Sequence, residues 1–189
     1  MKKSPVPGRA LLGALCLSVG LAGAVHGGEP HRFGAKEGEE LARSAAAAWS
    51  GDARLVWVES DEEVTAAGQS ERWGYLFFSE SRNEGRVYSI KNAKIEVVTD
   101  PAFDFPAPPL DEAWMDSRRA LSIADAEKGN DYRAKHAGEL RSMLLVRGVL
   151  NLEEPDATTW AIVYDSPTTS GLWVVVDARS GKVVKTWRG

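Results

Sequence analysis

Three histidines, one cysteine and one run of carboxylates are what this chain offers to chemistry, and their spacing organises none of them into a site. His26 and His31 lie near the start and His136 stands alone, with no His-x-x-x-His, no cysteine pair and no carboxylate-rich loop of the calcium type. Arg133, Lys135 and Arg141 surround His136, and such cationic surroundings suit a surface residue better than a metal ligand. Asp61-Glu62-Glu63 has the residue types for paired acid–base work, but it falls in a connection, where carboxylate runs are normally solvated. There is no Gly-x-Ser-x-Gly elbow, phosphate loop or dinucleotide fingerprint. No serine has a histidine nearby in sequence, although a triad assembles in space. These residues lead us to expect a non-enzyme with no catalytic residue, no cofactor and no metal.

The residue type in surplus is tryptophan, at seven. Trp49 on a helix and Trp57, Trp73, Trp160 and Trp173 on strands can fill a helix–sheet layer. Alternatively, a sheet face without helices displays some of them, because aromatic residues supply rigid contact area at interfaces. Trp73, Tyr75, Trp160 and Tyr164 are the candidate partner-binding residues, since their strands are apolar on both faces and one face must lack a helix.

Lys2 and Lys3 precede an apolar run from Ala10 to Val25 that is too short and too rich in Gly and Ala to span a bilayer. It reads as a signal peptide over residues 1–24, with Ala22-Gly23-Ala24 at the cleavage site and Gly27 a second candidate. Leu15 directly before Cys16, where a lipoprotein signal wants a small residue, argues against lipidation, and the only thiol leaves with the peptide. The exported chain therefore has no disulfide and depends on packing. Removing Lys2, Lys3 and Arg9 takes the formal charge from −4 to −7, which argues against nucleic acid or anionic lipid as the partner.

Helical spacing of Leu41, Ala45, Ala48 and Trp49 predicts a helix over 36–50, ended by Gly51. Arg54 to Glu59 and Trp73 to Ser79 read as strands, and Val87 to Ile90 with Ile95 to Val98 as a hairpin around Lys91-Asn92. Pro101, Pro106, Pro108 and Pro109, interleaved with Phe103 and Phe105, predict a stiff ordered strap. Asp116 or Ser117 then caps a helix carrying Ala120, Leu121, Ile123 and Ala124, which Gly129-Asn130 is expected to break. Leu140 to Leu150, Thr158 to Asp165, Leu172 to Asp177 and Val183 to Thr186 complete the strands, the last two joined by a turn at Asp177-Ala178-Arg179-Ser180-Gly181.

The run Ala120-Leu121-x-Ile123-Ala124, a strand with Trp160, and Trp173-Val174-Val175-Val176-Asp177-Ala178-x-x-Gly181-Lys182-Val183-Val184 resembles the PepSY-type module over about 70 residues. The first half, with Trp49-x-x-Asp52-Ala53-x-Leu55, Gly68-x-Ser70 and Trp73-x-Tyr75, looks like a divergent copy that lacks the Asp-x-x-x-Gly turn. The resemblance implies an α+β fold of two repeats, each a helix packed on a three- to four-stranded antiparallel sheet. A doubled module of this kind is similar in architecture to β-lactamase inhibitory protein, and the two sheets have edges through which they can join. The division is then residues 25–100 and 113–189 about a proline-rich connection at 101–112. Modules of this type occur in exported propeptides and sensor ectodomains, so the resemblance implies extracytoplasmic (periplasmic or secreted) binding. The partner expected is an exported protein, such as a protease or envelope enzyme, met on the helix-free sheet face, with no stable membrane insertion and with self-association open through sheet edges. The alternative is a cell-envelope sensor or binding protein holding a small molecule between the repeats.

Overall fold

A computed structural model describes residues 30–101, 108–151 and 153–189. The signal peptide at 1–24, with Cys16, and most of the proline-rich segment, with Phe103, Phe105 and Pro106, lie outside the described residues.

Among the described residues eight strands form one antiparallel sheet: β1 Arg54–Ser60, β2 Arg72–Ser79, β3 Glu84–Lys91, β4 Lys94–Thr99, β5 Glu139–Arg147, β6 Thr158–Asp165, β7 Leu172–Asp177 and β8 Val183–Arg188. Their order across the sheet is β4-β3-β2-β1-β5-β6-β7-β8. This corrects the expectation of two helix-on-sheet repeats. β1 pairs with β5, so strands from both halves of the chain belong to a single sheet. The helices are also unequal, with a single helical stretch of 20 residues in the second half against a short helix in the first. Pairing β1 with β5 satisfies two edges that separate sheets would leave open.

The short helix, α1, spans Glu39–Trp49 and buries Ala42 and Ala46, four residues apart, against β2, β3 and β4. Its buried stripe is offset by one residue from the expected one, and Leu41 is exposed. Alanines let the helix axis sit close over Trp73, Tyr75, Phe77 and Tyr88, which already fill that layer.

The long stretch begins as α2, Ser117–Ala124, continues through a π-helical turn at Asp125–Gly129 and ends as α3, Asn130–His136. Gly129-Asn130 therefore does not break it. Gly129 is buried against the Tyr164 ring, where a side chain would collide, so the glycine serves packing rather than termination. Ala137, at φ 47°, ends the helix in the left-handed conformation. Ala120, Leu121, Ala124 and Tyr132 join the same core as Ala42 and Ala46, so the described helices lie on one face of the sheet.

The joint between the halves is narrow. β1 meets β5 over Trp57, Val58 and Glu59 alone, whereas β2 and β3 pair along their whole length. Beyond Glu59 the chains separate, and the Met143 N–H donates to Ser60 Oγ at 3.1 Å. Other contacts tie the halves nearby. Ser117 Oγ donates to the Gly68 carbonyl at 2.7 Å and accepts from the Ala35 N–H at 3.0 Å.

Candidate functional site

The four aromatic residues expected to meet a partner are in the core. Trp73, Tyr75, Trp160 and Tyr164 are each 0% exposed and lie on the helix-covered face. Their polar tips have internal partners. Trp73 Nε1 donates to Phe33 O at 2.9 Å, Tyr75 OH to Ala35 O at 2.6 Å, Trp160 Nε1 to Met115 O at 2.8 Å and Tyr164 OH to Asp125 Oδ1 at 2.7 Å. The sequence placed Trp73 with Tyr75 and Trp160 with Tyr164 on one side of their strands correctly, but that side is the one the helices cover.

Alternation from these residues identifies the other face. Trp57 follows the bulge at Leu55/Trp57 and stands between Leu76 and Val146, opposite in direction to core Val58. Trp173 stands between Val163 and Trp187, alternating with core Leu172 and Val174. The Trp173 and Trp187 rings stack at 5.2 Å and 14°, and Lys185 Nζ lies 5.0 Å from the Trp187 ring centre. Among the described residues no helix covers this face. Leu76, Val146, Val163 and Val175 are nonetheless buried between their neighbours, while Trp57, Trp173 and Trp187 are half-buried.

In this apolar surface stand two carboxylates, Glu59 and Asp61, two residues apart on β1 and the turn after it. Glu59 faces Gly74 on β2 and Leu144 on β5. A Cβ on Gly74 would come within 2.7 Å of Asp61 Oδ1, so the bare glycine lets the Asp61 carboxylate lie against the sheet. Ser89 Oγ holds it there, donating to Oδ2 at 2.6 Å. Partial desolvation pushes the Glu59 carboxyl above its ordinary value, the Trp57 indole N–H opposes the rise, and the charge of Asp61 adds to it. Sequence reasoning missed Glu59 because attention went to the triplet at 61–63. The available signal was the polar set Glu59, Gly74 and Ser89, alternating with large apolar residues on three strands destined to be neighbours.

Where β1 and β5 separate, an open cleft of about 1040 Å³ has Asp61, Glu62 and Glu63 on one wall and Glu139, Arg141 and Ser142 on the other, with Arg133 and Asp165 nearby. Within the triplet, Glu62 is engaged by Lys91 at 2.9 Å and Arg72 at 3.3 Å. His31 stacks on Phe33, and His136 lies 5.3 Å from the Tyr132 ring. Among the described residues, no serine hydroxyl bonds a histidine ring and no group of three His, Cys, Asp or Glu could hold a metal ion. No helix among them is long and apolar enough to cross a membrane.

No family model matches the chain, and no curated protein matches it. A solved structure from Clostridium difficile 630, provisionally described as a lipoprotein, is similar to it with a TM-score of 0.57 and 16% identity, covering 80% of this chain and 92% of that one. At that identity the likeness concerns the fold.

Proposed function

We propose that the chain is an exported, non-catalytic binding module that recognises a protein partner on the helix-free face of its sheet. The observation carrying this reading is the aromatic and apolar content of that face, where Trp57, Trp173 and Trp187 are half-buried and no helix among the described residues covers them. Export is supported by the signal-like start of the sequence, and it suits a structural neighbour provisionally described as a lipoprotein. The PepSY-type resemblance of the second half points to binding as well.

The test uses the tagged exported chain beside a Trp57→Ala/Trp173→Ala variant, with extracytoplasmic extract of the source and with oxidation footprinting of tryptophans in the complex. A protein retained by the native chain, lost by a variant with an unchanged unfolding midpoint, and shielding Trp57 and Trp173 from oxidation supports the reading. Equal retention by the variant refutes it.

The cleft between β1 and β5 favours a second reading, a small envelope molecule held between the halves. A screen of envelope metabolites should then raise the unfolding temperature saturably. The absence of any shift counts against it.

A further inference from the structure

Among the described residues the sheet ends in two edge strands, β4 and β8, and their surroundings differ. At the first edge α1 packs over β4 and the carboxylates are committed, Glu96 to Arg72 and Asp100 to Arg86. At the other, α2 packs on β6 and β7, and an open groove of about 620 Å³ lies between the helical stretch and β8, with Ile123, Ala126 and Glu127 on one side and residues 183–186 on the other. Bare Gly181 lets Ile123 come down beside the strand, since a Cβ there would lie 3.0 Å from Ile123 Cδ1. The Gly189 N–H donates to the Gly171 carbonyl at 3.1 Å, so by alternation the backbone groups of Lys185 and Trp187 face β7, and those of Thr186 and Arg188 point away from the sheet. Lys182 and Lys185 have no ion-pair partner among the described residues.

Resting on the reading above only in that the partner is a protein, we infer that β8 and this groove take an extended, acidic segment of that partner as an additional strand. Three features fit that occupant. The outward donors and acceptors of Thr186 and Arg188 supply the main-chain bonds of strand addition. On the helix side, alternate side chains of the added strand enter the groove against Ile123, Ala126 and Val183, which suits small or apolar residues. On the other side they stand across from Lys185 and Trp187, where a glutamate or aspartate pairs with Lys185. Lysines on an edge also oppose a second copy of the same edge and favour a strand of opposite charge. The added strand lies beside Trp187 and so extends the aromatic face rather than competing with it.

The test titrates an acetylated, amidated hexapeptide of alternating glutamate and valine into the isotopically labelled exported chain, followed by NMR. One control peptide has lysine in place of glutamate, and another carries N-methyl groups on two consecutive residues, which removes a donor from each of its edges. The Thr186 and Arg188 amides should shift saturably with the unmethylated glutamate peptide alone, and at about ten times its dissociation constant their hydrogen exchange should slow about tenfold. Thr186→Pro, tolerated on an edge strand where the N–H faces solvent, should abolish the response with an unchanged unfolding midpoint. Lys185→Glu should weaken binding about tenfold. An equal response to the N-methylated peptide, or none at β8, overturns strand addition, and an equal response to the lysine peptide overturns the acidic occupant. Protection of Thr186 that grows with protein concentration alone assigns the edge to a second copy and overturns the partner strand. In the capture experiment, a partner lost with Trp57→Ala/Trp173→Ala but kept by Thr186→Pro leaves the binding face standing and removes the edge. A partner lost with Thr186→Pro but kept by the tryptophan variant upholds the edge and removes the face.

Discussion

Trp73 of β2 and Trp160 of β6 meet edge to face with ring centroids 6.1 Å apart and an interplanar angle of 75°, beneath the helices and across the joint between the halves. Trp114 adds a second edge contact to Trp160 at 6.0 Å. The three rings fill the space where strands from both halves converge, so the pair acts as a pin.

Replacing either ring with alanine should cost about 3–5 kcal/mol, as truncation of a buried aromatic residue does. The double variant should lose less than the sum, because the rings touch each other, by about 0.5–1.5 kcal/mol. Denaturant unfolding of both singles and the double closes the cycle. Strict additivity would show that the rings do not couple.

Gly68, at φ +74°, lies so close to α2 that a Cβ would meet the Arg118 Cα at 2.7 Å. Gly68→Ala should destabilise by about 1–3 kcal/mol through backbone strain and displacement of the helix start. Ser117→Ala, which removes the hydroxyl bridging Gly68 and Ala35, should cost a similar amount. Thermal unfolding of both variants reads the effect, and native-like stability of Gly68→Ala would mean that the contact is loose.

Asp52 accepts from the Ser79 and Ser50 hydroxyls and from the Ser81 N–H, which together hold its carboxyl well below the usual range. A carboxyl depressed on folding contributes stability above its ordinary value of 3.8 and loses it as pH falls. Asp52→Asn should flatten the acid limb of the stability curve below about pH 4 and leave its slope at neutral pH unchanged. Parallel curves for the two proteins would remove Asp52 from that limb.

Tyr164 behaves in the opposite sense. Burial, and then its hydrogen bond to Asp125, hold its hydroxyl far above the ordinary phenol value of 10.0. Stability from a group raised on folding is complete below that value and declines as pH rises past it. Tyr164→Phe should cost about 1 kcal/mol at neutral pH, since Arg133 still pairs with Asp125 at 2.6 Å, and should make the alkaline decline shallower. An unchanged alkaline limb would show that Tyr164 ionises without unfolding the chain.

Much of the fold was legible because strands of β-branched and aromatic residues announce themselves locally: Thr158–Asp165 and Leu172–Asp177 have the boundaries their composition suggested. The π-helical turn was not legible, because Gly129 is explained by Tyr164, which lies 35 positions along the chain. The candidate site was half legible. Alternation groups Trp73 with Tyr75, but it carries no information about which face the helices will cover, and by residue type alone Trp57 and Trp73 are equivalent. What separates them is nonlocal, since Trp73 finds its acceptor on Phe33, 40 positions away, and Trp57 stands between Leu76 and Val146 on the uncovered face. The single sheet was beyond local reading for the same reason, as nothing in β1 names β5 as its neighbour.

The brief meeting of β1 and β5 also sets an order of events. Among the described strands every other pairing links consecutive strands, whereas this one brings together residues from Glu59 and Leu144, 85 positions apart, to Trp57 and Val146, 89 apart. Loop closure over that distance is slow compared with hairpin formation, so the two edges stay open until late in folding. During that interval a second chain presents the same complementary edge at no loop-closure cost, and an exchanged dimer, β1 of one chain on β5 of another, is the characteristic misassembly of this topology.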